Sequence, residues 1–206
     1  MEYFLTEQQK LIKSIARRIA EERIIPMRAE LDEKEQFPWE IIKDIANADL
    51  FRIFIPEQYE GMGEGSFALC IAIEELSRAC AGVALTYAAD ALGAFPILLY
   101  ASEKQKQQYL PAIASGARLT AFGLTESSAG SDAGNIKTTA KRDGNEYVLN
   151  GTKQFITNGG EAEIYTVIAL TDPTKGARGA SAFIVDRKST RLNSSHHSVS
   201  RMPSSA

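Results

Sequence analysis

Histidine is nearly missing from this chain of 206 residues: the two present, His196 and His197, stand side by side near the C-terminus, and none precedes them. Up to Val185 the chain therefore cannot build a Ser-His-Asp or Cys-His nucleophile, nor a histidine-ligated zinc. Cysteine is scarce as well. Cys70 and Cys80 have neither CxxC nor zinc-site spacing, so no disulfide framework or metal centre is expected from them. They read as plain thiols of a reducing compartment, buried as small hydrophobes in an apolar helical stretch. No apolar run approaches the roughly 18–20 residues of a membrane span. The N-terminal MEYFLTEQQKLIKS has no apolar signal core and no transit-peptide character. A cytoplasmic location is expected, or the mitochondrial matrix in a eukaryote. Excess positive charge is also lacking: the net charge is −3 and the pI about 5.6, so no nucleic-acid surface is expected. What is present is ordinary for a folded protein, with 44% hydrophobic and 24% charged residues, which argues against disorder for the whole chain.

Residues 1–117 read as an all-α domain. Thr6 and Gln9 suit a capping box. Leu11, Ile12, Ile15 and Ile19 then recur at helical spacing, and Pro26 is expected to end that run. Pro38 suits a first helical residue before Ile41, Ile42 and Ile45. Ile55–Gly65, with one proline and three glycines, reads as a break. Ser66 can cap the next helix, which carries Leu69, Ile73 and Leu76 on one face. Gly82–Leu99 is apolar nearly all round, as in a helix buried among others. Ser102 can cap Glu103–Tyr109, and Pro111 sits at or near the next break.

From Leu119 the pattern turns to strands. Thr138–Lys141 and Tyr147–Leu149 are joined across Asp143-Gly144, and Asn150-Gly151 is a second hairpin signal. Lys153–Thr157, Ile164–Thr171 and Ala180–Val185 are further strand candidates. Helices followed by strands, without alternation, argue against a parallel dinucleotide-binding fold. The expected class is α+β: a helical domain at 1–117, then an incomplete antiparallel β-barrel-like domain at 118–185 with unpaired edges. Residues 186–206 contain seven serines and four basic residues against one acid; without them the net charge moves from −3 to −6. This stretch has no strand or helix period. Its DRKSTRLNSSH resembles a translated sequencing adapter, so a disordered, foreign tail is expected there, and its histidine pair is read as solvated rather than metal-binding.

Two stretches carry chemistry. Ala121–Asn135, AFGLTESSAGSDAGN, gathers glycines and hydroxyl residues at a strand end, where amides and hydroxyls can line an anion or the polar edge of a planar ring. By composition alone a bland Gly/Ser loop is the better reading. Lys153–Ala162, KQFITNGGEA, places an aromatic and a threonine before Asn-Gly-Gly, which suits stacking on a planar ring or simply a strand running into a turn.

These residues resemble a known family. GLTESSAGSDAGN is similar to the first signature of the acyl-CoA dehydrogenases, and KQFITNGG to their KxWITNG segment. IPEQYEGMG and QKQQYLPAIASG fit the same family in order and spacing, and the resemblance covers residues 1–185. Phe155 stands where most members have Trp, keeping an aromatic face without the indole N–H. Asn135 stands where a small residue is usual.

The resemblance implies an FAD enzyme that oxidises an acyl-CoA thioester to the trans-2-enoyl-CoA. A glutamate takes the α proton while the β hydrogen leaves as hydride to flavin N5. It implies that Phe122, Gly123, Leu124 and Thr125 line the flavin, with backbone groups of Phe122 and Leu124 at its rim and the Thr125 hydroxyl on the ring edge. Gly130 and Ser131 match positions near the FAD pyrophosphate, and Ser131 also a contact to the acyl-CoA. Phe155 packs on the isoalloxazine with Ile156 and Thr157 beside it. Thr86–Leu92 flank the acyl chain, though core packing serves any one of them equally well. Glu126 and Asp132 are read as loop-bracing or capping carboxylates and not as the base. In this family the catalytic glutamate lies in a second helical domain, which this sequence does not reach, so no catalytic residue is assigned and the chain is expected to be inactive alone. Electron-transfer flavoprotein is the expected acceptor, and a homotetramer the expected state of the full-length enzyme. An acyl-CoA oxidase or other flavin enzyme on the same scaffold, or a non-catalytic binding module, are the alternatives.

Overall fold

The computed structural model describes residues 4–187, 190–192 and 198–203. The chain divides into two compact units, Met1–Leu119 and Thr120–Ala206.

The first unit is helical. α1 (Glu7–Ile19) opens on the expected capping box: the Thr6 hydroxyl accepts from Gln9 N, and the Gln9 side chain accepts from Thr6 N. It buries Ile12, Ala16 and Ile19 and leaves Leu11 exposed. Pro26 does not end the run. The helix widens through a π-helical turn, Ala20–Ile24, and runs on as α2 (Ile25–Glu33) with Pro26 just beyond that turn, the wider turn accommodating a residue with no N–H to give. α3 (Trp39–Asn47) follows, with Pro38 at the cap. Trp39 is partly exposed and its ring centroid lies 4.8 Å from that of Phe37.

The expected break after α3 folds back on itself. Met62 N donates to Arg52 O, Gly63 N to Ile55 O and Glu64 N to Ile53 O, at 2.8–2.9 Å. Gly61 is required here, because a Cβ would stand 1.7 Å from the Ile55 carbonyl oxygen. α4 (Gly65–Ala79) starts one residue before Ser66, which therefore does not cap it. α5 (Ala81–Tyr100) is the apolar helix. By length and composition it is long enough to cross a membrane, which corrects the expectation that no such run exists; 56% of its most apolar window is buried within the fold. α6 (Glu103–Ala114) has the expected capping box at Ser102, with Gln105 as its partner. Pro111 lies inside α6 and not at a break; the burial of Leu110, Ile113 and Ala114 outweighs the hydrogen bond lost at proline.

Packing between these helices is anchored by polar links. Glu75 on α4 is buried and takes a bidentate grip from Arg17 of α1, Nε at 3.0 Å and Nη2 at 2.9 Å, and a third contact from Arg78. Arg17, followed by Arg78, holds its carboxyl below the usual range against the cost of burial. Tyr87 of α5 donates to Leu50 O at 2.6 Å and packs edge-on against Phe51. The cysteines depart from expectation: Cys70 is exposed and Cys80 half-buried, because Cys70 falls on the outer face of α4 and Cys80 in the junction between α4 and α5.

The second unit is a seven-stranded sheet. Its strands are β1 (Thr120–Gly123), β2 (Thr139–Asp143), β3 (Glu146–Gly151), β4 (Ile164–Leu170), β5 (Ala180–Asp186), β6 (Thr190–Leu192) and β7 (Ser198–Pro203). The order is β1-β4-β2-β3-β7-β6, with β5 on the other side of β4. β5 pairs antiparallel along all of β4, whereas β1 runs parallel to its first half and β2 touches its end in parallel at Thr139↔Leu170. The sheet is thus mixed, not purely antiparallel. The chain between β1 and β4 is long enough for a crossover that brings them back in the same direction. The β2–β3 hairpin forms as expected, with Asp143↔Glu146 as the last pair and Gly144 at φ +62° in the turn. Ala140, Leu149, Ala169, Phe183 and Val185 make its core.

Further expectations fail in the sheet unit. Lys153–Thr157 is not a strand, since left-handed backbone at Phe155 and Asn158 breaks the pleat. Asn150-Gly151 is not a hairpin turn; Gly151 ends β3, where a Cβ would stand 2.3 Å from Thr138 Oγ1. Residues 186–206, expected to be disordered, include the end of β5 and the paired strands β6 and β7, with β7 antiparallel to β3 from Glu146↔Pro203 to Gly151↔Ser198. The open edge of β3 offers main-chain donors and acceptors that any extended segment can pair with, whatever its side-chain pattern. His196 and His197 lie outside the described residues.

Candidate functional site

The two motif stretches meet along β1. One edge of β1 pairs with β4. Beyond Gly123 the chain runs through Leu124 and Thr125 into a narrow turn, where Glu126 and Ala129 exchange backbone hydrogen bonds at 3.1 Å each. The segment 153–158 passes alongside in the opposite sense. Lys153 Nζ donates to Leu124 O at 2.9 Å, Gln154 N to Thr125 O at 3.0 Å, and Asn158 Nδ2 to Thr120 O at 3.1 Å. Just after it, Glu161 N and Ala162 N both donate to Asn158 O.

A buried ion pair braces this junction. Lys153 Nζ lies 2.7 Å from Glu126 Oε1, with the side chains 11% and 6% exposed. The same carboxylate accepts from Lys137 N at 2.6 Å and Thr138 N at 3.0 Å. Burial alone would raise the Glu126 pKa; the Lys153 ammonium and the two amides more than offset it and hold the carboxyl down to about 2. Burial also pushes Lys153 below its ordinary value, opposed by Glu126. Glu126 is therefore a bracing carboxylate, as its reading from the sequence has it, and an ionised group so engaged cannot take up a substrate proton at neutral pH. Asp132 is different: it is exposed, and the bond found at it runs through its carbonyl, which accepts from Asn135 N.

The residues expected to bind now have places. Phe122 and Gly123 end β1, with Phe122 half-buried and Gly123 buried; Leu124 and Thr125 are half-buried just beyond. Gly130 and Ser131 are exposed on the loop after the Glu126–Ala129 turn. Ile156 and Thr157 are half-buried, whereas Phe155 is 87% exposed at φ +56°. An aromatic side chain that is both bare and left-handed is unusual on two counts. The structure thus brings Leu124–Thr125 and 153–158 together, with Gly130 and Ser131 farther along the same loop. Thr86–Leu92 lie on α5 in the helical unit; Thr86 is buried and Leu92 exposed. The sequence reading assigned nothing to Lys153 and Asn158. The one available signal was a lysine two residues before an aromatic, with a glutamate in the partner motif.

Among the described residues no group of histidine, cysteine or acidic side chains can hold a metal ion. The groups gathered at this junction, the bare aromatic Phe155 and the half-buried Thr125 and Thr157, suit a planar ring with a polar edge.

Comparison with known proteins defines the class. The N-terminal domain of acyl-CoA dehydrogenases matches residues 6–117, and the middle domain of the same enzymes matches residues 121–204. The chain belongs to the acyl-CoA dehydrogenase family. Among its relatives is a probable acyl-CoA dehydrogenase of Mycobacterium tuberculosis, 43% identical over 183 residues, which are 89% of this chain and 47% of that protein. Among solved structures, butyryl-CoA dehydrogenase from Megasphaera elsdenii superposes with a TM-score of 0.86 at 33% identity, covering 99% of this chain and 57% of that one. An acyl-CoA dehydrogenase from Bacillus anthracis, complexed with FAD, superposes at 0.84 and 31% identity over 97% of this chain and 37% of that one. The chain spans about half the length of the curated relatives it matches.

Proposed function

We propose that this chain forms the helical and flavin-binding parts of an FAD-dependent acyl-CoA dehydrogenase. The observation that carries the reading is Phe155: a bare aromatic at left-handed backbone, on a strap tied to Leu124 and Thr125. A planar ring would cover it. Bound FAD supplies the acceptor for a hydride from the β carbon of an acyl-CoA thioester. Phe155 stacks on the ring with Ile156 and Thr157 beside it, Phe122 and Leu124 offer backbone groups to its rim, and the Thr125 hydroxyl bonds its edge. Gly130 and Ser131 take the pyrophosphate, and Ser131 also the acyl-CoA. Covering Phe155 and the adjoining strap also keeps water from the reacting carbons.

The α proton needs a base, and Glu126 is not it. The base is proposed to come from outside residues 1–206, so that this chain binds flavin without turning substrate over. Electron-transfer flavoprotein as acceptor, a homotetrameric full-length enzyme and a cytoplasmic location belong to the same proposal. The test is optical. Titration of the purified chain with FAD should give a protein-bound flavin band and quenched flavin fluorescence, while added butyryl-CoA should leave that band unbleached. A chain that carries no flavin absorbance once free FAD has been removed by gel filtration rules the reading out.

A further inference from the structure

We infer that Lys153 and Asn158 are positioning residues: they fix the 153–158 strap at its two ends and thereby hold Phe155 bare and left-handed, set to receive a planar ring. The inference rests on the flavin reading above. At 87% exposure, Phe155 has too little packing of its own to fix where it stands, and left-handed backbone is unfavourable for a bulky residue. Its placement must therefore come from the main chain on either side. On one side the Lys153 ammonium joins Leu124 O and Glu126, and Gln154 N reaches Thr125 O. On the other, Asn158, itself at φ +64°, reaches Thr120 O with its side-chain amide. Both anchors grip the segment that carries the proposed ring-edge groups. Strap and rim are thus held in one register, and Glu126 adds Lys137 and Thr138 to the same junction.

The pair could instead be a staple with no bearing on the ring, and the test separates the two. Amide hydrogen exchange and FAD titration are run on the 206-residue chain and on three variants. Lys153→Met/Glu126→Gln removes both charges and avoids a lone buried ion. Asn158→Gly keeps the backbone permitted at positive φ and removes the side chain that bonds Thr120 O; it keeps the proposal testable should the double variant fail to fold. Phe155→Ala supplies the reference. In the first two variants the Gln154 amide should exchange at least tenfold faster while Val167 in β4 is unchanged, and FAD should bind at least tenfold more weakly. Placed on Phe155→Ala, neither change should weaken FAD further. Unchanged Gln154 exchange with unchanged affinity overturns the inference, as does weakening that adds in full to that of Phe155→Ala. A wild-type chain that takes up no FAD overturns the functional reading and the inference with it. Normal uptake by the wild type and both anchor variants overturns the inference alone.

Discussion

Glu126 couples the stability of the sheet unit to pH. Its folded-state pKa of about 2 lies below the ordinary carboxyl value of 4.5, so its contribution is fully present above about pH 4.5 and is lost as pH falls toward 2. The difference is worth roughly 3 kcal/mol. Urea unfolding of wild type at pH 7 and pH 3 should show about 2 kcal/mol of that loss, the remainder going only below the folded-state pKa, and Glu126→Gln should flatten the dependence in this window. Lys153→Met alone leaves a buried carboxylate without its cation and should cost about 3–5 kcal/mol at pH 7. Adding Glu126→Gln to Lys153→Met should recover part of that loss, as read by the same urea midpoints. The bracing role of Glu126 was legible because the motif carries it. Lys153 and Asn158 were not, because their partners lie 27 to 38 residues away in sequence and no local spacing records such a contact.

Elements defined by local chemistry were readable, and those defined by tertiary packing were not. The capping boxes at Thr6 and Ser102 need only residues three apart. Thr6→Ala should lower the unfolding free energy of the helical unit by about 1 kcal/mol in denaturant titration. The two misread prolines tell the opposite story: Pro26 sits past a π-helical turn and Pro111 inside a helix, because packing tolerates what propensity disfavours. Gly61 belongs with the packing-defined features. A methyl group there collides with the Ile55 carbonyl, so Gly61→Ala should destabilise by more than the roughly 1 kcal/mol of an ordinary substitution, visible as a lowered thermal midpoint. The Lys153–Thr157 strap was mistaken for a strand because its residue types favour the pleat while its dihedral angles do not.

Across the whole molecule, helices before strands gave the α+β division, but strand direction was hidden. Whether β1 and β4 run parallel depends on a crossover, not on the alternation within either strand. The C-terminal residues pair with β3, at the far end of the strand order from β1. Deleting residues 190–206 should therefore leave FAD affinity unchanged while baring the β3 edge. Titration and light scattering of the truncated chain check the two halves of that statement. The placement of Trp39 has a further, practical consequence. It is the sole tryptophan, and it stands at the start of α3 in the helical unit. Intrinsic tryptophan emission is thus a one-sided witness: a fluorescence melt follows the helices and is blind to the sheet, unless Phe155→Trp gives the second unit a reporter of its own.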